Sequence, residues 1–145
     1  MVYKHTQRSY LTIPFVILLA FLTFNPMSGD QTAWPHLAVV AFLAVAVLLF
    51  STLTVKIVNG NLIWHFTLDF WKKSVPVSEI KKHEVVRNNW YYGWGIRKIR
   101  HGWLYNIYGL DAIELQLSGG RVIRIGTDEP GTLSRTIDAA IAAKA

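Results

Sequence analysis

Apolar residues dominate the first third of the chain, whereas apolar and polar residues alternate along the remainder. The 21 residues after Arg8 and the 25 residues after Asp30 contain no Lys, Arg, Asp or Glu. A helix that crosses the hydrocarbon core of a bilayer needs about 20 mostly apolar residues. The pattern therefore predicts a transmembrane helical hairpin in residues 1–55, with spans at about 10–24 and 36–53.

Basic residues near the two apolar segments predict how such a hairpin would be oriented. Lys4 and Arg8 precede the first segment and Lys56 follows the second, whereas the connecting turn contains only Asp30. Basic residues close to membrane spans tend to stay in the cytoplasm. We therefore expect an integral membrane protein with two spans, both termini in the cytoplasm, and the turn at 25–34 on the outer side.

Two other interpretations of the N-terminal third stay open. A cleaved signal peptide also begins with basic residues and an apolar run, but residues 25–31 offer no clean cleavage site and a second apolar segment follows at once. The two segments could instead form a buried helical hairpin in a soluble protein. Neither segment has the polar stripe of a surface helix, so we favour the membrane hairpin.

From residue 51 onward the hydrophobic period changes to two, which is typical of half-buried strands. Asn59-Gly60 separates two β-rich runs and predicts a tight hairpin, and Gly119-Gly120 predicts another tight turn. A mainly-β domain of about seven strands is therefore expected. The predicted strands are Ser51–Val58, Leu62–Leu68, Trp71–Val77, His83–Arg87, Trp103–Tyr108, Ala112–Leu117 and Arg121–Gly126.

An amphipathic helix is predicted at the end of the sequence, over residues 129–143. Leu133, Ile137 and Ile141 recur every four residues and form one apolar stripe. A helix of this kind can close the open end of a seven-strand sandwich or barrel. We therefore expect residues 56–145 to form a cytoplasmic β barrel or sandwich that is capped by a C-terminal α-helix.

Three short sequences give the chain a resemblance to a known architecture. They are Gly93–Arg97 (GWGIR), Gly102–Asn106 (GWLYN) and Ile125–Pro130 (IGTDEP). With the predicted order of hairpin, strands and C-terminal helix, they resemble the bacterial two-transmembrane-helix proteins that carry a pleckstrin-homology-like (PH-like) domain. The resemblance covers essentially the whole chain. It implies a PH-like barrel or sandwich at the bacterial cytoplasmic (inner) membrane.

One departure limits what the resemblance implies about ligands. Phosphoinositide-binding members of the wider superfamily use a basic loop between their first two strands. Here the corresponding loop is the uncharged Asn59-Gly60-Asn61. The inositol phosphate site is therefore not expected in this chain, and the resemblance implies an architecture rather than a ligand.

The sequence contains no recognisable catalytic, metal or cofactor motif. The chain has no cysteine, which excludes disulfides, thiol catalysis and Cys-ligated metals. Its five histidines show no metal-ligand spacing, and neither a phosphate-binding loop nor a nucleophile-elbow motif is present. We therefore predict a protein that is not an enzyme and that uses no cofactor or metal.

The segment from Lys81 to His101 combines basic and aromatic residues more densely than the rest of the chain. It holds six Lys or Arg residues against Glu84 alone, a net charge of +5, whereas the whole chain carries +6. We define the predicted patch as eight residues of this segment and its continuation. They are Arg87, Trp90, Tyr92, Trp94, Arg97, Lys98, Arg100 and Trp103.

Several explanations of the predicted patch remain open. An anionic inner leaflet would attract the cations and accommodate Trp and Tyr at its interface. A protein partner could instead bind the aromatic and arginine side chains, or the tryptophans could fill the core while the cations are solvated. Single-stranded nucleic acid is disfavoured by the predicted membrane hairpin, and a small-ligand cup is a further alternative.

The leading functional prediction is a membrane-anchored, non-catalytic binding module. Its patch would recognise anionic lipid head groups at the membrane surface. The alternative is a protein–protein scaffold or assembly subunit of a membrane complex, with a protein partner or a second copy of the chain bound through the aromatic residues. No nucleic acid partner is predicted.

Overall fold

A computed structural model describes residues 3–24 and 33–144 of the chain. Within those ranges, nine β-strands form two separate sheets and three α-helices accompany them. The sheets contain four and five strands. The core lies between the sheets, and the site described below lies at one edge of the larger sheet.

The smaller sheet is antiparallel throughout, with the strand order β1-β2-β3-β4. Asn59 and Gly60 join β2 to β3 with φ values of 51° and 71°, as a tight hairpin with two left-handed residues requires. The hairpin therefore forms where the Asn-Gly pair predicted it. The strands are β1 (Tyr3–Arg8), β2 (Thr52–Val58), β3 (Asn61–Phe66) and β4 (Lys73–Pro76).

Strand β1 comes from the segment before the first apolar run, where the sequence had not indicated a strand. Its register along β2 extends from Tyr3 opposite Ile57 to Arg8 opposite Thr52. Lys4 is an exposed strand position rather than a charge flanking a membrane span. The segment before the apolar runs is therefore part of the β fold.

The larger sheet has the order β5-β8-β9-β7-β6, and all of its pairs are antiparallel except the parallel pair β7–β9. Strands β5 and β6 follow one another in the chain but lie at opposite edges of this sheet. The connection at residues 88–94 must therefore cross one face of the sheet. The strands are β5 (Ile80–Arg87), β6 (Gly95–Ile99), β7 (Gly102–Asn106), β8 (Asp111–Leu117) and β9 (Val122–Gly126).

The predicted two-span membrane hairpin is wrong. Helix α1 (Thr12–Phe24) has 13 residues and helix α2 (Ala33–Leu49) has 17, which at 1.5 Å per residue gives lengths of about 20 and 26 Å. The hydrocarbon core is about 30 Å thick. In the described part of the chain, no helix is both long and apolar enough to cross a bilayer.

The helices are shorter than the predicted spans because a strand lies close to each outer end of the helical pair. Strand β1 continues to Arg8 and a turn follows it, while β2 begins as early as Thr52. The predicted integral location in the inner membrane depends on these spans, so it is wrong as well. The predicted two-span topology is wrong for the same reason. Most of the turn predicted on the outer side, residues 25–32, lies outside the described residues.

The prediction of a seven-stranded PH-like barrel or sandwich capped by a helix is also wrong. The described residues form nine strands in two sheets that do not close into a barrel. The two unpredicted strands are β1 and β6. Strand β6 lacks a clear signal in the sequence because it begins beside Gly93 and Gly95, which have positive φ values of 69° and 92°, and glycine is typical of loops with unusual backbone angles.

Side chains from both sheets and from the C-terminal helix form the core. Trp64 of β3 packs edge-on against Tyr105 of β7, with ring centroids 5.3 Å apart. Helix α3 (Pro130–Ala142) contributes Leu133 and Ile137, which are both fully buried. This helix is one residue shorter at each end than the predicted 129–143, and its apolar stripe packs against the two sheets.

Tyr3 makes the stability of the fold sensitive to alkaline pH. Burial of its phenol, followed by the negative charges of Glu129 and Asp128, raises the pKa of Tyr3 from 10.0 to about 12. Between these two values the folded chain binds more protons at this site than the unfolded chain does. The free energy of unfolding should therefore fall as pH rises through this window.

We expect Tyr3→Phe to remove this part of the alkaline loss of stability. The measurement is denaturant unfolding at a series of pH values from neutral to strongly alkaline. Tyr91→Phe, at a 64% exposed position, is the matched control and should keep the slope of the parent chain. An unchanged alkaline slope in Tyr3→Phe would contradict the assignment.

Candidate functional site

The connection between β5 and β6 crosses the face of the larger sheet that carries Glu114 and Arg124. Asn88, at its start, is 4% exposed and accepts a hydrogen bond from Nη1 of Arg124 at 3.2 Å. Four inter-strand spacings of about 4.8 Å separate the edge strands by roughly 19 Å. Residues 88–94 supply little more length than this, so the connection lies close to the sheet.

A buried ion pair lies under the start of this connection. Nε of Arg124 donates to Oε2 of Glu114 at 2.5 Å, and the two side chains are only 15% and 10% exposed. The two residues are direct partners on β9 and β8, and Leu104 of β7, opposite Arg124, is fully buried on the same face. The ion pair therefore orients the guanidinium group that binds Asn88.

The middle of the connection is a 3₁₀ turn whose aromatic rings face solvent. Trp90 and Tyr91 are 81% and 64% exposed. The ring of Tyr91 contacts Trp90 and Tyr92 edge-on, with centroid distances of 6.0 and 5.0 Å. Nδ2 of Asn89 donates to the hydroxyl oxygen of Tyr91 at 2.9 Å. These contacts group the three rings without burying them.

Strand β6 continues from this turn and carries the basic residues. Nε of Arg97 donates to the carbonyl oxygen of Trp94 at 3.1 Å, which draws the guanidinium back towards the start of the strand. Lys98 lies directly opposite Trp103 of β7, so their side chains share a face and lie about 5 Å apart at Cβ. Arg100 is in the turn that follows the strand.

Five of the eight residues of the predicted patch lie on β6, directly beside it or on its partner β7, two lie in the connection that leads to β6, and one lies elsewhere. Arg87 lies on β5 at the opposite edge of the sheet, where its Nη1 is 3.7 Å from Oδ1 of Asp111. We call the remaining seven the β6 patch. They are Trp90, Tyr92, Trp94, Arg97, Lys98, Arg100 and Trp103.

The tryptophans of the β6 patch do not fill the core. Trp90, Trp94 and Trp103 are 81%, 52% and 47% exposed. Within the described ranges, no carboxylate forms an ion pair with Arg97, Lys98 or Arg100, whereas Lys82, Arg87 and Arg121 each have one. The β6 patch therefore combines uncompensated positive charge with exposed aromatic surface.

An apolar cavity, which the sequence gave no sign of, adjoins the β6 patch. Its volume is about 520 Å³, and Trp94 is one of its lining residues. The others come mainly from the start of α1, the end of α2 and the loop after β7. They include Leu11, Phe15, Leu18, Phe50 and Ile107. Because these residues are far apart in sequence, only the folded chain brings them together.

A serine, a histidine and an aspartate also come together, between α3 and β5. His83 has Nε2 at 2.8 Å from Oδ1 of Asp138 and Nδ1 at 3.4 Å from the hydroxyl of Ser134. Asp138 is 67% exposed, and the cavity lining includes none of the three residues. We interpret the contacts as a clamp that attaches α3 to β5.

No protein-family model matches the chain, and no curated protein matches it either. The resemblance to PH-like proteins is therefore not tested by these comparisons and stays a prediction. The role of the β6 patch likewise rests on its geometry and charge.

Proposed function

We propose that the chain is a non-catalytic binding module that recognises an anionic membrane surface through the β6 patch. The observation that carries this proposal is the group of three cations without carboxylate partners in the described residues, beside three exposed tryptophans. The proposed contact is with the surface of the bilayer and requires no membrane span.

The chemistry of the β6 patch suits a lipid surface in two ways. A Lys or Arg close to an anionic leaflet gains about 1 kcal/mol from its attraction to the head groups. Trp and Tyr favour the head-group region because their rings are apolar and carry a polar edge. Lys98 and Trp103 share one face of the β6–β7 pair, which allows both effects to act at one contact.

The arrangement favours a lipid surface over a protein partner. Hot spots for proteins cluster near the centre of an interface, in well-packed and desolvated pockets. Here consecutive strand residues such as Arg97 and Lys98 point to opposite faces of the sheet, and Arg100 lies in a turn. Side chains on both faces of an edge strand can contact the head-group layer of a bilayer together more readily than they can contact one flat protein surface.

The test compares vesicle flotation of two full-length variants with equal loss of charge. Arg97→Gln/Lys98→Gln/Arg100→Gln should weaken binding to vesicles of phosphatidylcholine and phosphatidylserine by about a hundredfold, because three attractions of about 1 kcal/mol each are lost. The control Lys81→Gln/Lys82→Gln/Arg135→Gln removes cations from α3 and from β5, which is the edge strand opposite β6. This variant should bind like the parent chain.

Vesicles of phosphatidylcholine alone provide the baseline. Many apolar side chains of α1 and α2 are exposed, for example Ile13 at 66% and Phe42 at 72%, and they can adsorb to lipid regardless of head-group charge. The informative quantity is therefore the increase in flotation with anionic lipid, and its decrease at high salt. An equal decrease in both triple variants would reject the proposal in favour of a nonspecific charge effect.

A protein partner would give a different result. Trp90→Ala/Trp94→Ala would then lose a specific co-purifying protein, while flotation would not depend on anionic lipid in the parent chain. That combination would reject recognition of the membrane surface.

A further inference from the structure

We propose that the cavity beside the β6 patch binds the hydrocarbon chain of a single fatty acid, and that Arg97 pairs with its carboxylate. This inference goes beyond the proposed function because it concerns a monomeric ligand in a cavity rather than a membrane surface. Both proposals involve Trp94 and Arg97, but only the fatty acid site also requires the apolar lining from α1 and α2.

The lining of the cavity suits a hydrocarbon chain. Leu11, Phe15 and Leu18 contribute from the turn before α1 and from α1 itself, and Phe50 contributes from the end of α2. Trp94 and Ile107 complete the wall from the side of the larger sheet. A wall of this composition offers a carbon chain apolar contacts and few polar partners.

The volume of the cavity is also suitable. At about 520 Å³ it falls within the range of about 300 to 1,000 Å³ that is usual for sites of small organic ligands. Apolar clefts of this kind with a few polar groups at one end are typical small-molecule sites. Here Ser9 and Thr12 are the polar residues of the lining, and Arg97 is hydrogen-bonded to the lining residue Trp94.

Arg97 gives the site its preference for an acid. Its Nε donates to the backbone carbonyl oxygen of Trp94, which is one of the residues that line the cavity. No carboxylate in the described ranges pairs with it, and its terminal N–H groups are free to donate. Arg binds carboxylates through paired N–H donors better than Lys does.

Positive backbone angles let the chain turn on either side of Trp94. Gly93 and Gly95, on either side of Trp94, have φ values of 69° and 92°. A Cβ atom added to Gly93 would be in ordinary van der Waals contact with Nη2 of Arg97, at 3.8 Å, so the guanidinium group lies close to this turn. The two glycines therefore allow the backbone to turn around Trp94, between the connection and β6.

The decisive experiment measures binding of a fluorescent fatty acid, cis-parinarate, to the full chain in the absence of vesicles and below micelle formation. Energy transfer from tryptophan reports its binding, and competition with palmitate gives the affinity of an unlabelled acid. Native mass spectrometry then counts bound palmitate. The proposal predicts one molecule per chain and at least about tenfold weaker competition by hexadecanol, which lacks the charge.

Matched variants of α1 test the location of the bound chain. Leu18→Gln places a polar group in the cavity wall, whereas Ile17→Gln alters the adjacent residue of the same helix, which is also exposed and does not line the cavity. We expect Leu18→Gln to weaken palmitate binding by about tenfold and Ile17→Gln to leave it unchanged. An equal effect of both would indicate adsorption to the helical surface and would overturn the proposal.

Arg97→Gln tests the carboxylate contact, with Lys81→Gln on β5 as the control. Arg97→Gln should lower the affinity for palmitate to that for hexadecanol and should leave the affinity for hexadecanol unchanged. The absence of palmitate binding by the parent chain would overturn the inference and leave the proposed surface recognition intact. Conversely, stoichiometric palmitate binding without anionic vesicle flotation would retain the cavity site and reject the proposed function.

Discussion

Arg124→Met is expected to lower the free energy of unfolding by about 3 kcal/mol, because it leaves the buried carboxylate of Glu114 without its partner. The two side chains are 15% and 10% exposed and are joined at 2.5 Å. Removal of one member of a buried pair leaves a charge that neither water nor protein compensates. Urea unfolding of the full chain, followed by circular dichroism, measures the change.

Two further variants separate the buried pair from general effects of charge. Arg121→Met removes a pair with Glu79 whose side chains are 66% and 39% exposed, so it should cost less than about 1 kcal/mol. Glu114→Leu/Arg124→Met removes both buried charges and should recover much of the stability that Arg124→Met loses. A loss in Arg124→Met no larger than that in Arg121→Met would contradict this assignment.

The same ion pair should also control the order of the aromatic connection. Arg124 donates to Asn88 at the start of residues 88–94, so its removal frees this end from the sheet. Hydrogen exchange at Trp90–Tyr92 should then increase more than exchange at the Asn59-Gly60 hairpin. Weaker binding to anionic vesicles would follow, although Arg124 itself is buried, because the exposed tryptophans would no longer have a fixed position.

Local patterns predict the parts of this fold that depend on neighbouring residues. The two-residue period is visible in β2 and β3, and Asn59-Gly60 supplies the left-handed angles that their hairpin needs. The stripe that contains Leu133 and Ile137 is likewise a local property of α3, and both side chains are buried. In each of these elements the signal lies within about a dozen consecutive residues.

The elements that sequence analysis missed are stabilised by distant partners. Strand β1 has the polar sequence YKHTQR and pairs with β2, which begins more than forty residues later. Strand β6 begins at Gly95, two residues after Gly93. It pairs with β7, which in turn pairs with β9 in parallel. Without β1 and β2 as boundaries, the apolar runs suggested longer helices than α1 and α2 prove to be.

The candidate site, like the fold, has one part that the local sequence predicts and another part that depends on distant contacts. Composition alone identifies the cations and aromatic residues of the segment from Lys81 to His101, and five of the eight selected residues lie on β6, directly beside it or on β7. Proximity in sequence groups Arg87 with them, but the strand order places β5 at the far edge of the sheet. The cavity could not be predicted, because Leu18, Phe50 and Trp94 meet only after both sheets have formed.

Removal of β1 is the second change for which we expect a large effect. A chain that starts at Ser51 lacks Tyr3–Arg8, so β2 becomes an edge strand with unpaired N–H and C=O groups. Exposed edge strands of this kind pair with other copies. The truncation also loses the contact at 2.6 Å between His5 and Asp128, which connects β1 to the segment before α3. We expect this truncated chain to aggregate, as measured by size-exclusion chromatography with light scattering.

A second variant distinguishes the loss of β1 from the loss of the helical pair. The backbone nitrogen of Ser9 is 2.8 Å from the carbonyl oxygen of Ser51, so a short Gly/Ser linker can replace residues 10–50 while β1 keeps its place. This linked chain should be monomeric and should unfold cooperatively, because the ladder between β1 and β2 is intact. If the chain starting at Ser51 were equally monomeric and stable, β1 would be dispensable. If both variants aggregated, α1 and α2 would be needed to cover the end of the sheets, and the edge-strand explanation would be insufficient.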